Sequence, residues 1–342
     1  MSFLTEFEKD TKKMEGVSTG APGPKFWIST GNYILNKIIS GKYKGGIGQG
    51  KLAMLAGPSS AGKSFVTANI MRAAQQMGCG ILVLDSENAL DDAFVEAVGV
   101  DTTPEDGAYT YRGVTTITQA VKTISSFLKA YRNHNMDRPY LIVVDSLDAM
   151  MTESMLKNYS DGDVKGDQGQ HAKQLKAMLS PFMHDIKDIN VAILCTKQVY
   201  KNQDGIAAKN PVNEYLLTEA LKYPFSQIAL ITRLMLRDDV TRDYEGIKLK
   251  VFGLKTRFTK PFQQAKIDVP YDTGMDPFAG LLEVAEAVGI VSRAGSWYTL
   301  GDKKFQRKNF EEYQEDVLTL LIEKESEVIN VKMDEEEISV DD

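Results

Sequence analysis

Residues 57–64 read Gly-Pro-Ser-Ser-Ala-Gly-Lys-Ser, a G-x-x-x-x-G-K-[ST] spacing. This spacing restricts the fold more than any other feature, because it works only as a tight loop between a buried strand and the start of a helix. Both flanks are present. The apolar run KLAMLA precedes the loop, and Phe65, Ile70, Ala73 and Met77 follow at helical steps that predict an inward face ended by Gly78. In such a loop the glycines let backbone amides close around phosphate oxygens. Lys63 then neutralises β- and γ-phosphate charge, and the Ser64 hydroxyl completes a Mg²⁺ shell at the helix N-terminus. Gly57, Pro58, Ser59, Ser60, Ala61, Gly62, Lys63, Ser64 and Phe65 are the candidate nucleotide-binding residues.

The surrounding pattern extends this unit into a layered α/β core. KLAMLA, GILVLD, YLIVVD and VAILC are short, continuous apolar runs, as strands buried on both faces require. Between them Ile117, Val121, Ile124, Leu128 and Tyr131 keep steps of three and four, as do Leu175, Leu179, Phe182 and Ile186. The alternation predicts a mostly parallel sheet with helices on both faces. QIALITRLMLR and GIKLKVFGLKTRF, separated by the turn-rich DDVTRDYEG, predict an antiparallel extension of that sheet. From residue 261 the pattern predicts a small lobe with helical GLLEVAEAVGIV, a strand at SWYTL and a terminal helix from Phe310 to Ile329. The expected division is an arm at 1–27, a core at 28–260, the lobe at 261–333 and an acidic tail at 334–342.

Two strands deliver acids at their C-terminal ends, the ligand side of an open parallel sheet. YLIVVD ends at Asp145, the expected Mg²⁺ partner acting through water. GILVLD runs into Ser86 and Glu87, which makes Glu87 the candidate base for an attacking water. Its alternative is a capping acid before a helix starting near Ala89.

The net charge of −7 does not exclude a nucleic-acid partner. The last nine residues, DEEEISVDD, hold six acids and no base, so the remainder is close to neutral. That tail could compete with DNA for basic groups or be merely solvated. Cys79 and Cys195 sit beside apolar runs without C-x-x-C spacing, which predicts buried thiols rather than a disulfide or metal site. His134, His171 and His184 are isolated. No apolar run is long enough to span a membrane and no secretory signal is visible at the start, so a cytoplasmic location is expected.

The motifs together resemble the RecA recombinases. In order they are ISTG (28–31), GPSSAGKS (57–64), LDSENALDDAFVEAVGVD (84–101), IVVDS (142–146), CTKQ (195–198), LKTRF (254–258), GLLEVA (280–285) and SWY (296–298). Order and spacing look closest to the T4-like phage members. The resemblance implies a RecA-like core and ATP and Mg²⁺ as ligands. It further implies a helical homo-oligomer on single-stranded DNA that pairs with double-stranded DNA and exchanges strands, with DNA-stimulated ATP hydrolysis. It makes Glu87 the catalytic glutamate, places Asp91 and Phe94 at adenine, and makes Gln198 the sensor of the γ-phosphate. Lys255 and Arg257 match a cation pair that reaches a neighbour's γ-phosphate.

DNA contacts are expected in loops 152–169 and 199–219, through Lys157, Tyr159, Lys165, Tyr200, Lys201 and Lys209. A single-stranded-DNA-binding protein and a loading mediator are the implied partners. Two departures stand out: Thr218-Glu219 replaces a glycine pair before Ala220-Leu221-Lys222, and Arg257 replaces a lysine with a planar fork. A ring-forming helicase-like motor, or an ATP-gated DNA-binding regulator, would share the same nucleotide motif.

Overall fold

The protein is described by a computed structural model covering residues 2–12, 14, 23–104, 108–163, 169–237, 243–271 and 273–329. The acidic tail, Lys165 and part of the N-terminal arm lie outside the described residues. In chain order the structure begins with α1 (Phe3–Thr11), β1 (Trp27–Ile28), α2 (Tyr33–Ser40) and β2 (Ile47–Gly48). The core follows as β3 (Leu52–Gly57), α3 (Lys63–Gln76), β4 (Gly80–Asp85), α4 (Asp92–Val98), β5 (Tyr109–Gly113), α5 (Ile117–Asn133) and β6 (Tyr140–Asp145). Next come α6 (Glu153–Ser160), α7 (Gln170–Asp185), β7 (Val191–Gln198), β8 (Tyr200–Lys201), β9 (Tyr215–Leu216) and α8 (Glu219–Lys222). The chain continues through β10 (Gln227–Arg237), β11 (Tyr244–Thr256), β12 (Gln264–Pro270) and α9 (Leu281–Ala287). It ends with β13 (Ser292–Ala294), β14 (Trp297–Leu300), β15 (Lys303–Gln306) and α10 (Gln314–Glu323).

One eight-stranded sheet, ordered β12-β11-β10-β3-β7-β6-β4-β5, organises the molecule. Its inner strands, β10 included, are parallel, and β11 runs antiparallel to both of its neighbours, β10 and β12. Period-two alternation divides each buried strand between two cores. Ala53 and Leu55 face the α2, α3 and C-terminal side, whereas Leu52, Met54 and Ala56 face α5 and α7. The expected stripe on α5 is buried at Ile117, Ile124, Leu128 and Tyr131, and that on α7 at Leu175, Leu179 and Phe182. A capping box of Thr116 and Gln119 starts α5. Cys79 and Cys195 are buried free thiols, and burial raises both pKa values, Cys79 to about 11. Among the described residues no helix is long and apolar enough to cross a membrane.

Several local expectations change. α3 ends at Gln76, so Met77 falls beyond the last turn and is exposed, while the expected Ile70 and Ala73 are buried together with Val66, Ala68 and Met71, and Phe65 packs half-buried against them. The terminal helix covers only Gln314–Glu323. Beyond it the chain turns back, and Ile329 is buried with its N–H on Gln263 Oε1 at 3.0 Å. Residues 153–160 are helical because Thr152 caps them through the Met155 N–H, so the first expected loop is partly regular. The large sheet also runs past residue 260, since β12 is its edge strand.

The C-terminal lobe is tied to the core by buried polar contacts. Lys37 is 1% exposed; its Nζ donates to the Gly41 carbonyl at 3.1 Å and to the Glu325 carbonyl. The Glu325 carboxylate in turn accepts the Tyr43 N–H at 2.9 Å.

Candidate functional site

The parallel pairing of β3, β7, β6 and β4 brings their C-terminal ends to one edge, with Gly57 opposite Gln198 and Asp85 opposite Asp145. The phosphate-type loop leaves β3 at this edge. Gly57 cannot carry a side chain, because a Cβ there would lie 2.3 Å from the Ile231 carbonyl oxygen. Ser60 and Gly62 have φ of 59° and 87°, which aims the loop back toward the first turn of α3. Lys63 folds over the loop and donates to the Gly57 and Pro58 carbonyls at 3.2 and 2.8 Å. Burial lowers its pKa, opposed by the nearby charges of Glu87, Asp145 and Asp148.

Asp145 is 1% exposed. Its Oδ1 accepts from the Thr196 hydroxyl, while Oδ2 is buried without a hydrogen-bond partner. Burial raises the carboxyl pKa above the ordinary aspartate value, against the pull of the Thr196 and Ser64 hydroxyls. A buried carboxylate oxygen with an open lone pair, beside a serine hydroxyl at a helix N-terminus, is a hard-oxygen donor set suited to Mg²⁺ held partly through water.

The ends of β4 and β6 are stitched together. Ser86 Oγ donates to the Ser146 carbonyl at 2.7 Å and accepts the Ser146 N–H at 3.0 Å, and the Ser86 N–H reaches the Asp145 carbonyl at 2.8 Å. The Ser146 hydroxyl donates to Glu87 Oε1, which steadies the exposed Glu87 carboxylate at the mouth of the site.

The group that shapes this corner is Asp85, which sequence reasoning passed over. Its Oδ1 accepts the N–H groups of Glu87 and Asn88 at 2.9 and 2.8 Å, and its Oδ2 that of Leu90 at 2.9 Å and the Tyr111 hydroxyl at 3.3 Å. With these N–H groups bound, residues 86–91 form a fixed turn, with Asn88 at φ 60°. α4 therefore begins at Asp92 rather than near Ala89, and its cap is Asp91, whose Oδ1 accepts the Phe94 N–H at 2.9 Å. Phe94 is half-buried against the core. Glu87 is free of capping duty. The one signal in the sequence is D-S-E-N, an acid followed by a turn-forming asparagine.

Gln198 closes the other side. Its N–H is accepted by Asp148 Oδ2 at 2.6 Å, and the next N–H, from Val199, by the Gly57 carbonyl at 3.1 Å. Beyond it the second loop forms a small hairpin in which Tyr200 pairs with Leu216 and Lys201 with Tyr215. Tyr200, Lys201 and Lys209 are exposed on it, and Lys157 and Tyr159 are exposed on α6.

Lys255 and Arg257 are not brought to this edge. Lys255 stands opposite Ile228, which itself pairs with Met54, so the pair sits toward the N-terminal end of β3. Three residues of strand, about 10 Å at ~3.3 Å per residue, separate that level from Gly57 before the loop begins. Lys255 Nζ donates to the Lys222 and Tyr223 carbonyls at 2.7 and 3.3 Å, and Arg257 to Tyr223 at 3.3 Å. Burial, then the neighbouring charge of Arg257, lowers the Lys255 pKa, and the same two causes lower that of Lys51.

Comparisons with known proteins agree with this architecture. A family model for the RecA N-terminal domain matches residues 26–276. Protein RecA of Acholeplasma laidlawii is 28% identical over 293 residues, covering 83% of this chain and 82% of that protein. Protein RecA of Clostridioides difficile is 29% identical over 313 residues, at 88% and 82% coverage. Protein RecA of one Thermus thermophilus strain is 27% identical over 320 residues, at 88% and 86%. The matched span takes in every element from β1 to β12, including the phosphate-type loop and the acids facing it, and the chain belongs to the RecA family of recombinases.

Proposed function

We propose that this recombinase hydrolyses ATP at the interface between successive copies of itself in a helical filament on single-stranded DNA, and that the filament pairs with duplex DNA and exchanges strands. The observation that carries this reading is the placement of Lys255 and Arg257. Two cations are held side by side on carbonyls at the sheet end away from their own phosphate loop. Such a pair gains most when an anion from outside the chain neutralises it, and a head-to-tail neighbour would offer a bound triphosphate.

Within one copy, Lys63 and the N–H groups at the start of α3 hold the phosphates. Ser64, and Asp145 through water, would hold Mg²⁺, which would supply charge neutralisation on the phosphate oxygens. Glu87, steadied by Ser146, orients an attacking water and takes its proton. Lys255 and Arg257 of the next copy stabilise charge on the transferring phosphoryl group, which makes hydrolysis depend on the filament. Asp91 and Phe94 border the base, and Gln198 senses the γ-phosphate.

The described cations Lys157, Lys201 and Lys209, with Tyr159 and Tyr200, give the DNA path its phosphate contacts and stacking surfaces. Loading in the cytoplasm by a mediator, against a single-stranded-DNA-binding protein, and a place beside the T4-like phage members belong to the same proposal. The test is ATP hydrolysis with and without single-stranded DNA in wild type and Lys255→Ala/Arg257→Ala. Strong stimulation in the wild type, lost in the double variant while ATP still binds, supports it. Hydrolysis indifferent to DNA, or a fully active double variant, removes it.

A further inference from the structure

We propose that Asp148 is a positioning residue for Gln198, and that its ion pair with Lys197 couples nucleotide occupancy to DNA occupancy. The proposal deepens the reading above and rests on it. Asp148 lies three residues beyond Asp145, in a turn laid along the end of β7 by the Leu147 N–H on the Thr196 carbonyl at 3.0 Å. Its two oxygens do different things. Oδ2 accepts the Gln198 N–H at 2.6 Å, and Oδ1 pairs with Lys197 Nζ.

The main chain around Gln198 is consequently gripped from two directions, by Asp148 on one side and by the Gly57 carbonyl on the other, through Val199 at 3.1 Å. One residue later the chain enters the Tyr200–Leu216 pairing of the second loop. A shift at the phosphate loop must therefore pass to the hairpin through a segment whose position Asp148 sets.

The charges explain why an ion pair is used. The carboxylates of Asp145, Glu87 and Asp148 all lie close enough to Lys63 for their charges to act on it, so each adds negative charge near the phosphate loop. Asp145 has an open oxygen for a cation, and Glu87 stands at the mouth. The Asp148 charge alone would only repel phosphate. Lys197, with its side chain 12% exposed, cancels that charge while leaving Oδ2 free to hold Gln198.

The two halves of the pair then fail differently. Lys197→Gln leaves an uncompensated carboxylate by the phosphates and raises the KM for ATP by about tenfold, and adding Asp148→Asn brings KM back to within about threefold of wild type. Asp148→Ala frees Gln198 and lowers kcat, while the Lys197 cation it leaves unpaired keeps KM for ATP from rising. Asp148→Asn, still able to accept the Gln198 N–H, keeps most of the turnover.

The deciding measurement is the affinity for a labelled single-stranded oligonucleotide in ADP and in a non-hydrolysable ATP analogue. The wild-type ratio of the two falls at least about fivefold in Asp148→Ala, with the ADP-state affinity unchanged. An unchanged ratio in Asp148→Ala overturns the proposal. So does a parallel loss in both nucleotide states with KM and kcat both impaired, which marks a merely structural contact. A wild type whose DNA affinity ignores nucleotide overturns the underlying filament reading instead.

Discussion

Asp85→Ala tests how the corner carrying Glu87, the proposed base, is held. Asp85 is 2% exposed and accepts three backbone N–H groups plus the Tyr111 hydroxyl. Removing the carboxylate does not affect these donors equally. Glu87 and Asn88 are exposed, so water replaces part of what they lose, at about 0.5–1 kcal/mol each. Leu90 is fully buried, and its orphaned N–H costs about 1–3 kcal/mol. The total is about 3 kcal/mol, or roughly 6 °C in Tm at about 2 °C per kcal/mol for a chain of this length. The turn carrying Glu87 also loses its fixed shape, and a displacement of about 1 Å in a catalytic group lowers turnover by around a hundredfold. Asp85→Asn keeps an acceptor for one side of the turn but puts an amide against donors on the other, and falls between. Thermal unfolding and DNA-stimulated ATP turnover on the same preparations check both parts. An Asp85→Ala protein that melts within about 1 °C of wild type and turns over at the wild-type rate refutes the reasoning.

Gly57→Ala forces a methyl to 2.3 Å from the Ile231 carbonyl, so β3 and β10 must part at the phosphate loop; ATP binding, read by calorimetry, is expected to be lost with a fall in Tm. Asp145→Asn is expected to raise the Tm of the nucleotide-free protein at neutral pH, by about 1 kcal/mol in stability, while abolishing turnover. The sign follows from its raised pKa. A carboxyl raised in the folded state contributes stability fully below its unfolded pKa, and that contribution is lost as pH rises through the folded value, so the ionised form at pH 7 is the costly one. The Tm gain should shrink toward acidic pH, and a constant gain would contradict this. Lys201→Ala and Lys209→Ala should each weaken single-stranded DNA binding and lower the slope of log affinity against log salt by about 0.7, measured by fluorescence titration. An unaltered slope would remove that residue from the DNA path.

The large sheet was readable from sequence because strands buried on both faces must be continuously apolar, which fixes KLAMLA, GILVLD, YLIVVD and VAILC within a few residues of β3, β4, β6 and β7. The phosphate-type loop was readable because its spacing is contiguous and the left-handed backbone at Gly62 is a local demand, although what requires a glycine at 57 is the distant Ile231 carbonyl. What stayed hidden depends on contacts between distant segments. Asp85 and Asp145 both end apolar strands and look alike, yet one accepts the amides of its own turn and the other keeps an oxygen open. Asp148 meets Lys197 across 49 residues, a pairing that no spacing rule encodes. The start of α4 was misplaced because Asn88 and Ala89 lie in a turn held by Asp85, and the cap is Asp91. The helix at 153–160 was hidden behind an expected loop although Thr152 is an N-cap residue and Glu153 puts an acid in the first turn.

The central claim is that each nucleotide is completed by a second copy of the chain, and mixing two variants tests it most directly. Lys63→Ala lacks the phosphate cation but keeps Lys255 and Arg257, whereas Lys255→Ala/Arg257→Ala has the reverse defect. With single-stranded DNA present, each alone is expected to be nearly inactive. In a random equimolar filament, about a quarter of the head-to-tail interfaces join an intact loop to intact cations, so activity should return to about a quarter of wild type. Mixed filaments no more active than either variant alone would contradict the account.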